Sequence, residues 1–201
     1  MRYIMHYTLE SEVHYVKKMV LQAPWFKRND YNIRLPNGIG DDSNEKNIYS
    51  AVSREFTHKK REFNVIRYAL RKEIKKHQKV LDTFFMNFDY PLPKNIHVYF
   101  TMYGPGGSYY PPNKIIVVLK DSIEWILKMI IHESIHLIIE EPFIKKNNIR
   151  HWEKEALVDM LCMDSALKNL NLHYQKQPQT ISLSGTSNLI KRMRFKKPPL
   201  P

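Results

Sequence analysis

One cysteine, Cys162, occurs in 201 residues. No intrachain disulfide can form, and a reducing, cytoplasmic location is expected. Glycine is scarce at six residues, and the chain has no Gly-rich phosphate loop. Acidic side chains are outnumbered: 20 Asp and Glu stand against 32 Lys and Arg, a net charge of +12. Basic chains of this kind meet nucleic acid, anionic membranes or acidic proteins. Long hydrophobic runs are missing as well. The most apolar stretch, 123–139, contains Glu124, Lys128, His132, Glu133 and His136, whereas a membrane span needs about 18 or more apolar residues. Near the N-terminus Glu10 and Glu12 interrupt before a signal-like apolar stretch forms. The balance is 43% apolar and 26% charged, which excludes wholesale disorder. The length suits one compact domain with a sizeable core.

Periodicity divides the chain into three parts. Residues 1–94 are expected to be mostly helical and basic. A short helix over 12–21 should end before Ala23-Pro24, and the Asn-, Asp-, Gly- and Pro-bearing stretch 29–48 reads as a loop. From 49 to 86 there is neither Gly nor Pro, and Val52, Phe56, Phe63, Ile66, Leu70, Ile74, Leu81 and Phe85 recur at steps of mostly three and four. That spacing predicts an amphipathic helix or helix pair. Residues 95–174 hold the expected α+β core. Ile96 to Phe100 reads as a strand by its β-branched and aromatic content. Gly104-Pro105-Gly106-Gly107 reads as a tight loop, and Ile115 to Leu119 as a second strand. Asp121-Ser122 can cap a helix that runs to about Glu140 and stops at Pro142. It is apolar on nearly every face, so it should be central and buried. A second helix is expected from His151 to about Leu170. Residues 175–201 read as a basic, Pro-rich tail.

The first of these two core helices carries a chemical motif. His132-Glu133-Ser134-Ile135-His136 is an HExxH. Residues at i and i+4 lie one above the other on a helix, so both imidazoles can bind one Zn²⁺. Glu133, beside the first histidine, can reach a water at the metal. The flanking Ile130, Ile131, Leu137, Ile138 and Ile139 bury this helix, and buried polar groups without partners cost several kcal/mol. A metal supplies those partners. A catalytic zinc usually takes a third protein ligand. Glu140 lies on the same stripe but a further turn, about 6 Å, along the axis. Glu155 and Asp159 on the next helix are again i and i+4, which suits one as ligand and the other as hydrogen-bond support for an imidazole. Glu153 is the rival, without an acidic companion at i+4.

HESIH at 132–136 followed by EALVD at 155–159 resembles the HExxH…ExxxD arrangement of gluzincins, the thermolysin-like zinc metallopeptidases. The likeness covers about 115–165. It implies a zincin-like fold, one Zn²⁺ per chain on His132, His136 and Glu155, Glu133 as general base, and Asp159 supporting a histidine ligand. It also implies hydrolysis of peptide bonds in a protein or peptide substrate. A donor from beyond the second helix, for which His173 and Tyr174 are the candidates, would stabilise the oxyanion, and His151 at the start of that helix is a further candidate. An edge strand before the HExxH helix would bind extended substrate, and Ile115, Ile116 and Val117 fill that place. The Gly-Pro-Gly-Gly-Ser-Tyr-Tyr-Pro-Pro stretch before it would rim the cleft, and its Tyr109 and Tyr110 could contact substrate or only cover the core.

The positive charge is not spread evenly. Between Arg54 and Lys79 ten Lys or Arg face three Glu, and from Lys176 onward there are six basic residues and no acidic one. A solvated helix face with a soluble tail is one reading. Docking onto nucleic acid or an acidic protein is the other. A basic nucleic-acid-binding or regulatory zincin-fold protein without peptidase activity is therefore the alternative to the enzyme.

Overall fold

A computed structural model describes residues 1–168, 170, 172, 174–181, 186–193, 195 and 196. The chain starts with strand β1 (Arg2–His6) and continues through helices α1 (Leu9–Arg28) and α2 (Glu45–Met86). Strands β2 (Asn95–Thr101), β3 (Gly107–Tyr110) and β4 (Lys114–Val118) follow. Helices α3 (Ile123–Ile139), α4 (His151–Cys162), α5 (Ser165–Lys168) and α6 (Thr186–Arg192) complete it. The architecture is mixed α and β around one four-stranded sheet ordered β1-β2-β4-β3. Strands β1, β2 and β4 are parallel, and β3 runs antiparallel to β4.

The sheet is covered on both faces. Ile96, Val98 and Phe100 of β2 and Ile115 and Val117 of β4 share one core with Phe63, Ile66 and Leu70 of α2 and Ile126, Ile130 and Ile135 of α3. On the other face Ile116 packs with Tyr15, Met19 and Phe26 of α1. Each such aliphatic side chain stabilises the fold by about 2 kcal/mol through burial. The all-round burial of residues 130–139 follows from α3 lying between the sheet and α4. Ser122 caps that helix by accepting a hydrogen bond from the Trp125 amide at 3.1 Å.

The structure departs from the sequence expectations in five places. Helix α1 is longer than 12–21 and passes through Pro24. The proline forgoes one backbone hydrogen bond, but Met19, Val20, Ala23 and Phe26 bury the same face on both sides of it. The second core helix, expected to reach about Leu170, ends at Cys162, and Ser165–Lys168 form a separate short helix. Residues 2–6, within the region expected to be mostly helical, form a strand that pairs in parallel with 95–99. The 107–110 stretch, read as a loop and cleft rim, is a strand, and it forms an edge of the sheet. The expected edge strand at Ile115, Ile116 and Val117 is instead internal, paired with β2 on one side and β3 on the other. Its backbone edges are satisfied, so it has none to offer a substrate.

Candidate metal centre

Helices α3 and α4 pack against each other because the link between them turns back sharply. Residues 140–144 form one π-helical turn, residues 145–147 a 3₁₀ turn, and Asn148 is left-handed at φ 50°. This return brings His132, His136 and Glu155 together, and all three side chains are buried. The Nε2 atoms of His132 and His136 lie 3.1 Å apart. Glu155 Oε2 is 3.4 Å from the first and 3.3 Å from the second. Ligand atoms held about 2.0–2.1 Å from one tetrahedral zinc ion lie about 3.3–3.4 Å from one another. The three donor atoms thus already form the face of such a tetrahedron.

Protonation suits the same purpose at two of the three groups. At His132 burial lowers the imidazole, but Cys162 and Glu155 outweigh it and raise it well above its ordinary range, so a cation would displace a proton there. Burial pushes the His136 imidazole down to about 4, which keeps it neutral near pH 7. Burial alone would raise Glu155, but the neighbouring His136 and His132 outweigh it and hold the carboxyl well below its ordinary range. A neutral imidazole and a carboxylate are the forms that bind a divalent cation. The rival third ligands are engaged elsewhere. Glu153 accepts the Arg150 amide at the start of α4, and Glu140 accepts the Tyr109 hydroxyl at 2.6 Å.

The support behind His132 differs from the expectation. Asp159 Oδ1 is 4.0 Å from His132 Nδ1, beyond direct hydrogen bonding. The Tyr174 hydroxyl stands between them, 2.5 Å from Nδ1 and donating to Asp159 at 2.8 Å. With its one proton given to Asp159, the phenol accepts from Nδ1–H. The tautomer this selects leaves the Nε2 lone pair of His132 facing Glu155 and His136. Tyr174 was expected to stabilise an oxyanion. Its hydroxyl is instead committed behind the imidazole, on the Nδ1 side. His173 lies outside the described residues. Asp159 also accepts the Gln177 amide at 2.9 Å and the Thr180 hydroxyl at 2.6 Å, and the Gln177 side chain donates to Glu155 at 3.1 Å. The start of the expected tail is therefore part of the site, because a fully buried Asp159 carboxylate needs several donors.

Glu133 projects toward β3. A Cβ at Gly107 would approach the Glu133 Cδ to 2.8 Å and Cγ to 2.9 Å, so only glycine leaves room for the carboxylate. Burial raises Glu133 to about 8; Glu155 adds to the rise, and His132 opposes it. Gly107 and Tyr109 share one face of the strand by its alternation. Tyr109 stacks flat on His136, with ring centroids 4.7 Å apart and planes 3° apart. Its hydroxyl also accepts from the Lys154 ammonium at 2.6 Å. Tyr110 faces the other way, beneath the Lys18 ammonium at 3.9 Å, and takes no part in the cluster.

Tyr31 went unnoticed in the sequence. Its hydroxyl is 2.9 Å from His151 Nε2, and His151 Nδ1 is 3.9 Å from Glu155 Oε1. Trp25 and Trp152 flank the Tyr31 ring, with centroids at 5.8 and 5.5 Å. Burial, then the charges of Glu155, Glu133 and Asp159, keep this phenol protonated. Residue 31 lies in a stretch without helical or strand spacing, so no local signal marked it.

No protein-family model, curated protein or solved structure matches the chain. Among the described residues no helix is long and apolar enough to cross a membrane.

Proposed function

We propose that this chain is a zinc-dependent metallopeptidase of zincin-like fold. The observation that carries the reading is the triangle of His132 Nε2, His136 Nε2 and Glu155 Oε2, with sides of 3.1, 3.3 and 3.4 Å. Two imidazoles and a carboxylate suit zinc better than the hard cations, which prefer all-oxygen sites. His136 Nδ1 is buried without a hydrogen-bond partner. Without a cation an Nε2–H of His136 can donate to the His132 Nε2 lone pair at 3.1 Å; a cation bound through Nε2 would take that place and leave the His136 proton on Nδ1.

A zinc ion held there supplies Lewis acidity toward a substrate carbonyl and an attacking water. The chain supplies the rest. Glu133 takes the water proton on its carboxylate and returns it to the leaving amine. Beside a bound cation the carboxylate form of Glu133 would be favoured, and in that form it would act as the base. Tyr31, paired with His151 beside Glu155, is the hydroxyl donor suited to a developing oxyanion. The edge strand β3 lies against α3, with Gly107 at Glu133, and can align an extended peptide.

The test uses the intact chain. Metal analysis should give one zinc per chain in the wild type and none in His132→Ala. Glu133→Gln should keep the zinc and lose peptidase activity by about 10² or more. Equal behaviour of wild type and Glu133→Gln toward a broad peptide library would instead favour a metal-holding regulatory domain. Absence of zinc from the wild type would sink both.

A further inference from the structure

The outward half of α2 carries two cationic clusters, at 54–61 and 71–79, with Asn64, Val65 and Tyr68 exposed between them. Arg54, Lys60, Arg61, Arg71, Lys72, Lys75 and Lys79 are all exposed. None has an ion-pair partner among the described residues. At 100° per residue they fall, with Lys76, within an arc of about 160°, and the span from 54 to 79 is about 37 Å long. No exposed residue between 54 and 79 is acidic. The three glutamates of that span sit together on one flank of the helix, half-buried and engaged: Glu55 with Tyr103, Glu62 with Lys59, Glu73 with Lys76. The sequence-remote basic segment joins the same helix at its C-terminal end. Phe195 packs on Phe88 at 5.4 Å, and the Lys196 amide donates to the Asn87 carbonyl at 2.8 Å.

We infer that this face of α2 docks onto duplex DNA. The charge density favours a polyanion over a folded acidic protein. Protein interfaces are built on apolar and aromatic anchors and are poor in lysine, and between residues 54 and 79 this face exposes only Val65 and Tyr68 as large apolar side chains. Arg, Lys, Asn64, Thr57 and the Tyr68 hydroxyl are the groups that contact phosphate. A helix about 10–12 Å across fits the B-form major groove, about 12 Å wide. The deep, narrow groove of A-form RNA does not admit it.

The full chain is titrated into a fluorescein-labelled 20-base-pair DNA duplex over a range of salt, with fluorescence anisotropy as the readout. A 20-base-pair RNA duplex and poly-glutamate are run beside it. Seven phosphate contacts predict a slope of log K against log salt near about −6. The triple variant K72Q/K75Q/K79Q, made at exposed positions, should bind at least about tenfold more weakly and shallow the slope by about 2.7. A wild-type slope shallower than about −2 would overturn the inference. So would unchanged binding by the triple variant, or RNA or poly-glutamate bound as tightly as DNA.

Discussion

Tyr109 lies flat against His136, with ring planes only 3° from parallel and centroids 4.7 Å apart. His132 is oriented by hydrogen bonds at Nδ1, whereas the Nδ1 atom of His136 has no such partner. The stack therefore does for the second imidazole what the Tyr174–Asp159 pair does for the first. Tyr109→Phe keeps the ring and should leave zinc affinity within about threefold. Tyr109→Leu removes it and should weaken affinity about tenfold or more. Competition with a chelator measures both, and equal affinities for the two variants would refute the stacking role.

Gly107 is a second point of close contact. A methyl group there collides with the Glu133 side chain, while His132, His136 and Glu155 stay in place. Gly107→Ala should keep its zinc and melt within a few degrees of the wild type, yet lose about 10² in peptidase rate. If zinc were lost together with activity, β3 would be supporting the ligands and not the base.

Tyr174→Phe deletes the hydroxyl that joins His132 to Asp159. Both partners are buried, so each unpaired group costs about 1–3 kcal/mol. Zinc affinity should fall about 10–100-fold. Had Tyr174 served as oxyanion donor, the same variant would lower the rate with affinity unchanged.

Zinc binding to the folded chain alone should raise stability by about 2.7 kcal/mol at a free concentration of 100 Kd. Thermal melts with and without chelator measure this. Glu155→Gln, which removes the anionic ligand, should abolish the difference.

The pH dependence of stability has a contributor remote from the metal centre. Glu12 is buried and accepts from the Thr101 hydroxyl and the Met102 amide. Burial raises it from 4.5 to about 7. The folded state then holds a proton that the unfolded state releases at lower pH. The stabilisation is complete below pH 4.5 and is lost as pH rises through 4.5 to 7, by about 3 kcal/mol. Urea titrations across that window should show the slope in the wild type and its flattening in Glu12→Gln.

Much of the candidate site is legible locally. The spacing of His132 to His136 and of Glu155 to Asp159 is set by the helical repeat. The apolar run around His132 announces a helix that packs on all sides. The exposed, cationic half of α2 is likewise written in its three- and four-residue steps. Pro24 misled because proline reports only local backbone preference, and the buried face on both sides of it dominates.

Only the tertiary structure decides which strand is an edge. β4 reads as a strand, but strand order depends on which backbones pair, and residues 2–6 joining 95–99 in parallel leave no mark at fixed spacing. The same holds for Tyr31, Tyr174, Gln177 and Thr180. They reach the candidate metal centre through segments whose course follows from packing, where buried carboxylates draw in the donors that lie within reach. Sequence alone determines the donor set that two adjoining helices can offer, since helical geometry is local. Which residues orient that set, and which backbone lies beside Glu133, depends on contacts between segments up to 120 residues apart, and those are settled by burial and hydrogen-bond satisfaction in the folded chain.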